Sequence, residues 1–223
     1  MLYFAGPVLK ENKHKELKKE LLLSPDWIDG AATALGTTKQ IKKNIQLTYG
    51  ESHKKCSEFI INVLKNNRLI KNYALPFDIF HLLFSRTGEG MFYGPHVDLG
   101  ISSDKKRRDF SFTLFLNDKN EYKGGELILH IPPETRSIKL NAGEIIIYPT
   151  KYLHEVKKVT EGERLVCVGW IQSQIIRDDD REVFSMFQET YSEVYGNENV
   201  SLSTRTKFNS ALNRLHKRFT SLS

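Results

Sequence analysis

Only two cysteines, Cys56 and Cys167, occur in the 223 residues. Two is too few for a disulfide framework, and their spacing fits no metal-binding pattern. Cys167, in "RLVCVGWIQ", reads as a small buried hydrophobe without a redox role. No apolar run approaches the roughly 18 residues of a membrane span. The opening "MLYFAGPVLKENKHKELKKELLL" places its short apolar stretch before the lysines, the reverse of a signal peptide. The expected setting is therefore the cytoplasm. Repeats and low-complexity tracts are also missing.

Charge is not scarce. Lys and Arg number 33 against 27 Asp and Glu, giving a net charge of +6 and a pI near 9.1. The basic residues are scattered through "KHKELKK", "KQIKK", "SHKK", "DKKRRD" and "NRLHKR". They form no single stripe with interleaved aromatics, so only the bulk charge speaks for a nucleic-acid partner. At 39% hydrophobic and 27% charged, the composition is that of a globular protein, and the length suits one large domain or at most two small ones.

The pattern changes twice along the chain. "ENKHKELKKELLL" and "ESHKKCSEFIINVLKNN" read as helices, the second with Phe59, Ile60, Val63 and Leu64 at helical spacing. Between them, "DWIDGAATALGTTKQIKKNIQL" reads as a loop or a strand pair carrying glycines. From about residue 78, "DIFHLLFSR", "DFSFTLFLND", "GGELILHI", "RSIKLNAG", "EIIIYP" and "ERLVCVGWIQS" are short β-branched and aromatic segments separated by turn residues. Strands at that spacing predict a sandwich or barrel-like roll. Helical character returns in "DDREVFSMFQETYSEVY" and "TKFNSALNRLHKRF", where Asp178 to Asp180 suit a helix N-terminus. The expected organisation is a helical support region over 1–77, a β core over 78–177 and a helical region over 178–223. The class is α+β with a mainly β core, its flanking helices covering one sheet and protecting its edges.

Chemistry concentrates in "YGPHVDLG". In an extended segment, residues two apart face the same way, so His96 and Asp98 can aim an imidazole and a carboxylate at one point. Of the seven histidines, His14, His53 and His216 lie in lysine-rich helical stretches and read as solvated. His81 and His130 read as ordinary sheet residues. His154 follows a strand in "YPTKYLHEV" and can be brought across the roll as a third ligand. Two histidines and a carboxylate on one side of a metal leave the opposite positions open, which suits a non-haem Fe(II) oxygenase.

The pieces "GMFYGPHVD", "RRDFSFTLFLND", "YKGGELIL", "KLNAGEIIIYP", "LHEVKKVTEGERLVCVGWIQS" and "RDD" together resemble the Fe(II)/2-oxoglutarate dioxygenase superfamily, and within it the PKHD-type (prolyl/lysyl hydroxylase domain) hydroxylases. The resemblance runs from about Asp78 to Arg181. It implies a double-stranded β-helix, or jelly roll, with N- and C-terminal flanking helices. It implies Fe(II) on His96, Asp98 and His154, with 2-oxoglutarate and O2 as co-substrates and ascorbate as a possible reductant. Arg164 would take the distal carboxylate of 2-oxoglutarate, a task suited to its planar, permanently charged fork.

By the same comparison Thr113 points a hydroxyl into the roll, Tyr93 touches co-substrate or substrate, and Trp170 walls the cofactor pocket. The implied reaction hydroxylates an unactivated C–H bond, releasing succinate and CO2. Its expected target is a prolyl (or lysyl) residue of a peptide or protein; a nucleic acid or small metabolite is the alternative. Relatives tend to carry a tyrosine where this chain has Thr87.

Other readings accompany several of these residues. An isolated H-x-D is often a core histidine beside a turn aspartate, and Tyr93 and Trp170 can be packing residues. Threonine favours strands without any further role. "GGEL" reads as a turn or bulge with Glu126 as a supporting acceptor. "SSDKKRRD", 102–109, reads as a solvated loop or as a lid over the site.

Overall fold

The computed structural model describes residues 2–33 and 38–220. The N-terminal third contains β1 (Phe4–Pro7), α1 (Glu11–Leu23), β2 (Trp27–Asp29), a 3-10 turn (Gly30–Thr33), α2 (Thr38–Ile41), β3 (Lys42–Lys43), β4 (Ile45–Leu47), α3 (Glu51–Asn66) and α4 (Arg68–Ala74). The middle contains β5 (Pro76–Thr87), β6 (Phe92–His96), β7 (Phe110–Phe115), β8 (Tyr122–Gly124), β9 (Leu127–Ile131) and β10 (Glu134–Ile138). It continues with β11 (Glu144–Pro149), β12 (Leu153–Val156), β13 (Val159–Gly162) and β14 (Arg164–Ser173). The chain then forms α5 (Asp178–Gly196) and α6 (Leu202–Phe219).

The strands make two main sheets. The larger runs β1-β11-β7-β14-β5-β4-β2 and the smaller β10-β9-β12-β6-β3. Every pairing within them is antiparallel. The order alternates far-apart segments, as a roll requires: sheet neighbours β7 and β14 are distant in sequence, and so are β6 and β12.

Alternation along the strands sorts the side chains. Phe110, Phe112 and Leu114 of β7, with Leu165, Cys167 and Ile171 of β14, pack under the helices in one core. Leu17 and Leu21 of α1 and Ile60 and Leu64 of α3 supply the other half of that core. Phe115 and Val166 instead face the smaller sheet, joining Ile146 and Tyr148 of β11 against Leu127 and Leu129 of β9. The functional groups share this second, inner face. Gly169 marks how tightly the outer face packs, since a Cβ there would lie 2.7 Å from the Phe112 ring.

The β segments of the sequence reading are all strands, and the two N-terminal helices appear at the positions their periodicity predicts. The stretch 27–47 is more than a loop or one strand pair. β2 and β4 extend the larger sheet and β3 edges the smaller. The N-terminal helices cover a sheet as expected. The C-terminal pair differs: α5 and α6 bury Phe184 and Leu212 in a separate cluster with Leu75 and Ile175.

The lysine-rich histidines also correct the reading. His14 and His53 are buried. His53 Nε2 lies 2.8 Å from the Leu82 carbonyl, to which it donates, and burial lowers its pKa. His216 is half-buried, with Nε2 2.8 Å from Gln174 Oε1. Helical amphipathicity put these rings inward, although lysines surround them in sequence. No helix among the described residues is long and apolar enough to cross a membrane.

Candidate metal and co-substrate site

His96 ends β6 and His154 lies on β12, directly opposite it in register. Asp98 sits two residues beyond His96, past the strand end. One ligand atom from each of these three residues lies within 4.8 Å of the others. His96 Nε2 is 3.8 Å from Asp98 Oδ1, and His154 Nε2 is 3.9 Å from Asp98 Oδ2. The sequence-predicted triad is therefore brought together.

Local hydrogen bonds aim the rings. His96 Nδ1 lies 2.8 Å from the Gly94 carbonyl, and His154 Nδ1 lies 3.0 Å from the Tyr152 carbonyl. A carbonyl only accepts, so each Nδ1 carries the proton and each Nε2 presents a lone pair toward the centre. Burial, then the neighbouring His154, pushes the His96 pKa down to about 4. The ring is thus neutral near pH 7, the form that binds metal.

The carboxylate is held from the larger sheet. Asp98 Oδ2 accepts from Ser111 Oγ at 2.8 Å and from Trp170 Nε1 at 2.9 Å. Ser111 Oγ also lies 3.1 Å from Thr150 Oγ1. Trp170 does share the inward face of Arg164, but its indole N–H serves the metal carboxylate. Ser111 is two residues before Thr113 and therefore on the same face, so the alternation that singled out Thr113 could have found it. Tyr93 stacks on His96 with ring centroids 3.7 Å apart. Burial brings the ammonium of Lys42, over the Tyr93 ring, down to about 8.

Deeper in the roll, Arg164 is 3% exposed. Its guanidinium lies 5.4 Å from the Phe115 ring centroid. Burial lowers its pKa; Tyr122, Tyr148 and Glu126 oppose the shift. Neither Arg164 Nε nor Tyr122 Oη has a hydrogen-bond partner of ordinary geometry. Two such buried orphans side by side are expensive to leave unsatisfied, and a carboxylate would satisfy both. Thr87 is inward, buried and opposite Arg164 in register. The phenols beside the arginine come instead from Tyr122 and Tyr148.

Tyr148 is fully enclosed. Burial, reinforced by Asp98, raises its pKa, while Arg164 and a hydrogen bond to Thr113 lower it. Its hydroxyl thus lies within electrostatic reach of both Asp98 and Arg164, with Thr113 beside it. Nothing in the sequence near Tyr122 announces this role, because only the short β8–β13 pairing carries it to Arg164. In "GGEL", Gly124 has φ +70° and a Cβ there would lie 2.1 Å from the Lys158 carbonyl oxygen, so this turn requires glycine. The 102–109 loop is tied down by Lys106 Nζ to Asp78 at 2.8 Å and Arg107 to the Ser173 carbonyl at 2.8 Å.

The donor set fits a divalent iron: two neutral imidazoles and a carboxylate on one side, with the other side open. The orphaned arginine and phenol fit a dicarboxylic co-substrate.

Comparison with known proteins agrees with this geometry. Residues 82–172 match the 2OG-Fe(II) oxygenase superfamily. A PKHD-type hydroxylase of Prochlorococcus marinus (strain MIT 9303) is 43% identical over 79% of this chain and 80% of its own length. Another, from strain MIT 9312, is 46% identical over 75% of each. Among solved structures, a Pseudomonas putida prolyl-4-hydroxylase aligns with TM-score 0.57 at 20% identity, covering 77% of this chain and 92% of that one. A prolyl hydroxylase from Trichoplax adhaerens, solved with a hypoxia inducible factor peptide fragment, aligns with TM-score 0.55 at 16% identity, covering 76% and 83%. These likenesses support the double-stranded β-helix fold. With its His-Asp-His cluster set inside that roll, the chain belongs to the PKHD-type hydroxylases, enzymes of the 2-oxoglutarate- and Fe(II)-dependent oxygenase superfamily.

Proposed function

We propose that this enzyme hydroxylates a prolyl (or lysyl) residue of a peptide or protein, with His96, Asp98 and His154 holding Fe(II) and Arg164 holding the distal carboxylate of 2-oxoglutarate. The observation that carries the reading is the pairing of a convergent three-donor cluster with an enclosed, partly unsatisfied arginine. The prolyl target rests on the named activities of the structural neighbours. Ascorbate as a reductant and a cytoplasmic setting belong to the same reading; the two free cysteines suit a reducing compartment.

Iron and 2-oxoglutarate together supply O2 activation, in which one oxygen atom enters succinate, formed with CO2, and the other replaces hydrogen as the hydroxyl of the product. The protein's part is orientation and exclusion of water. The Gly94 and Tyr152 carbonyls fix the two imidazole tautomers. Ser111 and Trp170 hold one carboxylate oxygen, which fixes the direction in which Asp98 presents the rest of its charge. Tyr93 covers one face of His96. Arg164, Tyr122, Tyr148 and Thr113 form the inner wall, where a carboxylate gains charge-assisted hydrogen bonds in a water-poor setting.

The test is mass spectrometry of proline-containing peptides incubated with the protein, Fe(II) and 2-oxoglutarate. The expected outcome is a gain of about 16 Da, one oxygen atom, together with succinate, and neither with His96→Ala. A protein that binds neither the metal nor 2-oxoglutarate in a calorimetric titration refutes the reading.

A further inference from the structure

A second cavity adjoins the mouth of the metal site. The mouth, about 320 Å³, includes Asp98, Pro149, Thr150, Lys151 and Asp178. Its neighbour, about 360 Å³, shares Pro149, Lys151 and Asp178 with it and lies between the roll and α5. Tyr152, whose carbonyl fixes the tautomer of His154, is on its wall.

This neighbouring cavity is apolar and acidic at once. Phe110, Pro149 and Met186 give it apolar surface, and Asp178, Asp179, Glu182 and Glu189 give it carboxylates. Four of the six acidic residues of α5, which has one basic residue, thus face it. The chain as a whole carries a net charge of +6. Asp178 to Asp180 suit a helix N-terminus, but Glu189 lies about three turns further on, beyond the reach of that effect.

The cations at the cavity are already answered. Lys151 pairs with Asp178 at 2.7 Å. Arg181 is buried, pairs with Asp178, lies 3.6 Å from Asp109 and donates to the Ile175 and Ile176 carbonyls at 2.8 Å each. Glu182 has an interaction of its own. That leaves Asp179 and Glu189, both exposed, whose carboxylates make no ion pair or hydrogen bond among the described residues.

A buried phenol completes the site. Tyr73, on α4, is 8% exposed, and its ring packs 5.3 Å from that of Phe110. Its hydroxyl has no hydrogen-bond partner. The groups that act on it electrostatically are Tyr152, Arg181, Asp178 and Glu182, all of which line this cavity. A buried hydroxyl is costly to leave unsatisfied, and its oxygen can accept from a cationic donor.

We infer that this cavity receives a lysyl or arginyl side chain of the substrate peptide, flanking the residue to be hydroxylated. The aliphatic stem lies along Phe110, Pro149 and Met186, and the cationic head meets the Tyr73 hydroxyl in the field of Asp179 and Glu189. This deepens the proposed function and rests on it. Long basic side chains combine an apolar stem with a charged end, which matches apolar walls joined to unpaired carboxylates. An acidic peptide or a nucleic acid would set like charges against Asp179 and Glu189.

The test uses the full chain loaded with Fe(II) and 2-oxoglutarate and a library of random peptides with a central proline or lysine. Hydroxylated peptides are identified by mass spectrometry against a His96→Ala control. The expected result is an enrichment of Lys and Arg on one side of the modified residue by about five-fold, the size of one or two exposed charge pairs. Combining Asp179→Lys with Glu189→Lys, two exposed positions, turns the enrichment toward Asp and Glu. Tyr73→Phe keeps the ring and lowers the enrichment about three-fold, as the loss of one hydrogen bond does, with 2-oxoglutarate affinity unchanged. Because the readout is a ratio within each protein, changes in total activity cancel.

Hydroxylation without that bias, or a bias that the charge reversals or Tyr73→Phe leave unmoved, overturns the inference and leaves the oxygenase reading intact. So does an absence of hydroxylated peptides when the anaerobic Fe(II)–2-oxoglutarate absorption band forms normally. Succinate release driven instead by a free polyamine assigns the cavity to a small cation and likewise overturns it. Failure of the absorption band itself overturns the proposed function.

Discussion

Strand β7 buries all six of its residues, yet its two faces differ in kind. Phe110, Phe112 and Leu114 point toward the helices and join the larger core. Ser111 and Thr113 point into the roll, where Ser111 holds Asp98 and Thr113 meets Tyr148. Strand β14 repeats the division. Leu165, Cys167 and Ile171 pack outward, while Arg164 and Trp170 face the site. The same two strands therefore serve stability with alternate residues and chemistry with the rest. A pleated backbone imposes this, since neighbouring side chains leave on opposite sides. The rigidity of the apolar face fixes the positions of the polar one, as a preorganised site requires.

The division can be broken from either side. Phe112→Ala should have the largest effect on stability, about 3–5 kcal/mol in denaturant unfolding, because the ring is enclosed and its loss leaves a cavity. Metal affinity measured on the protein that remains folded should change by only a few-fold. A complete loss of metal binding there would mean that the two faces are not separable. From the other side, Arg164→Met should leave the unfolding midpoint unchanged or raised, since it removes an incompletely paired buried charge. Its 2-oxoglutarate affinity should fall by roughly 2–5 kcal/mol, at least 30-fold, as when one partner of a buried charge pair is deleted. Calorimetric titration measures this.

Acid tests the metal end without mutation. His96 titrates at about 4 in the folded protein, whereas a histidine in the unfolded chain titrates near 6.5. Between those values the unfolded state binds a proton that the native state does not. Its contribution to the metal-free protein is thus complete above about pH 6.5 and lost as pH falls toward 4, at up to about 1.4 kcal/mol per pH unit. Urea unfolding at several pH values checks the slope, which should flatten in His96→Ala. The smallest effect belongs to Ser111→Ala. Losing one of the two hydrogen bonds to Asp98 should weaken metal binding about ten-fold, with little change in melting temperature.

How far the site was readable varies with how local its determinants are. His96 and Asp98 sit two apart in an extended segment, and His154 followed from a search for a third ligand. Ser111 was within reach of the same alternation that singled out Thr113. Tyr122 and Tyr148 were not, because each reaches Arg164 only through contacts between distant strands. The lysine-rich surroundings of His14 and His53 misled for a related reason: composition reports the neighbours in sequence, while burial depends on which face of the helix meets the sheet. Thr87 puts no phenol beside Arg164; the phenols near it are Tyr122 of β8 and Tyr148 of β11.

The sequence alone determined the strand and helix periods, the two-apart pair His96 and Asp98, and the chemical types available for a metal and a dicarboxylate. These are properties of short stretches, set by backbone geometry and side-chain chemistry. Only the tertiary structure decided that His154 lies opposite His96, that Trp170 serves Asp98, and that Tyr122 reaches Arg164. Those choices depend on strand order and register, which are settled by the packing of the whole roll and are written in no single segment.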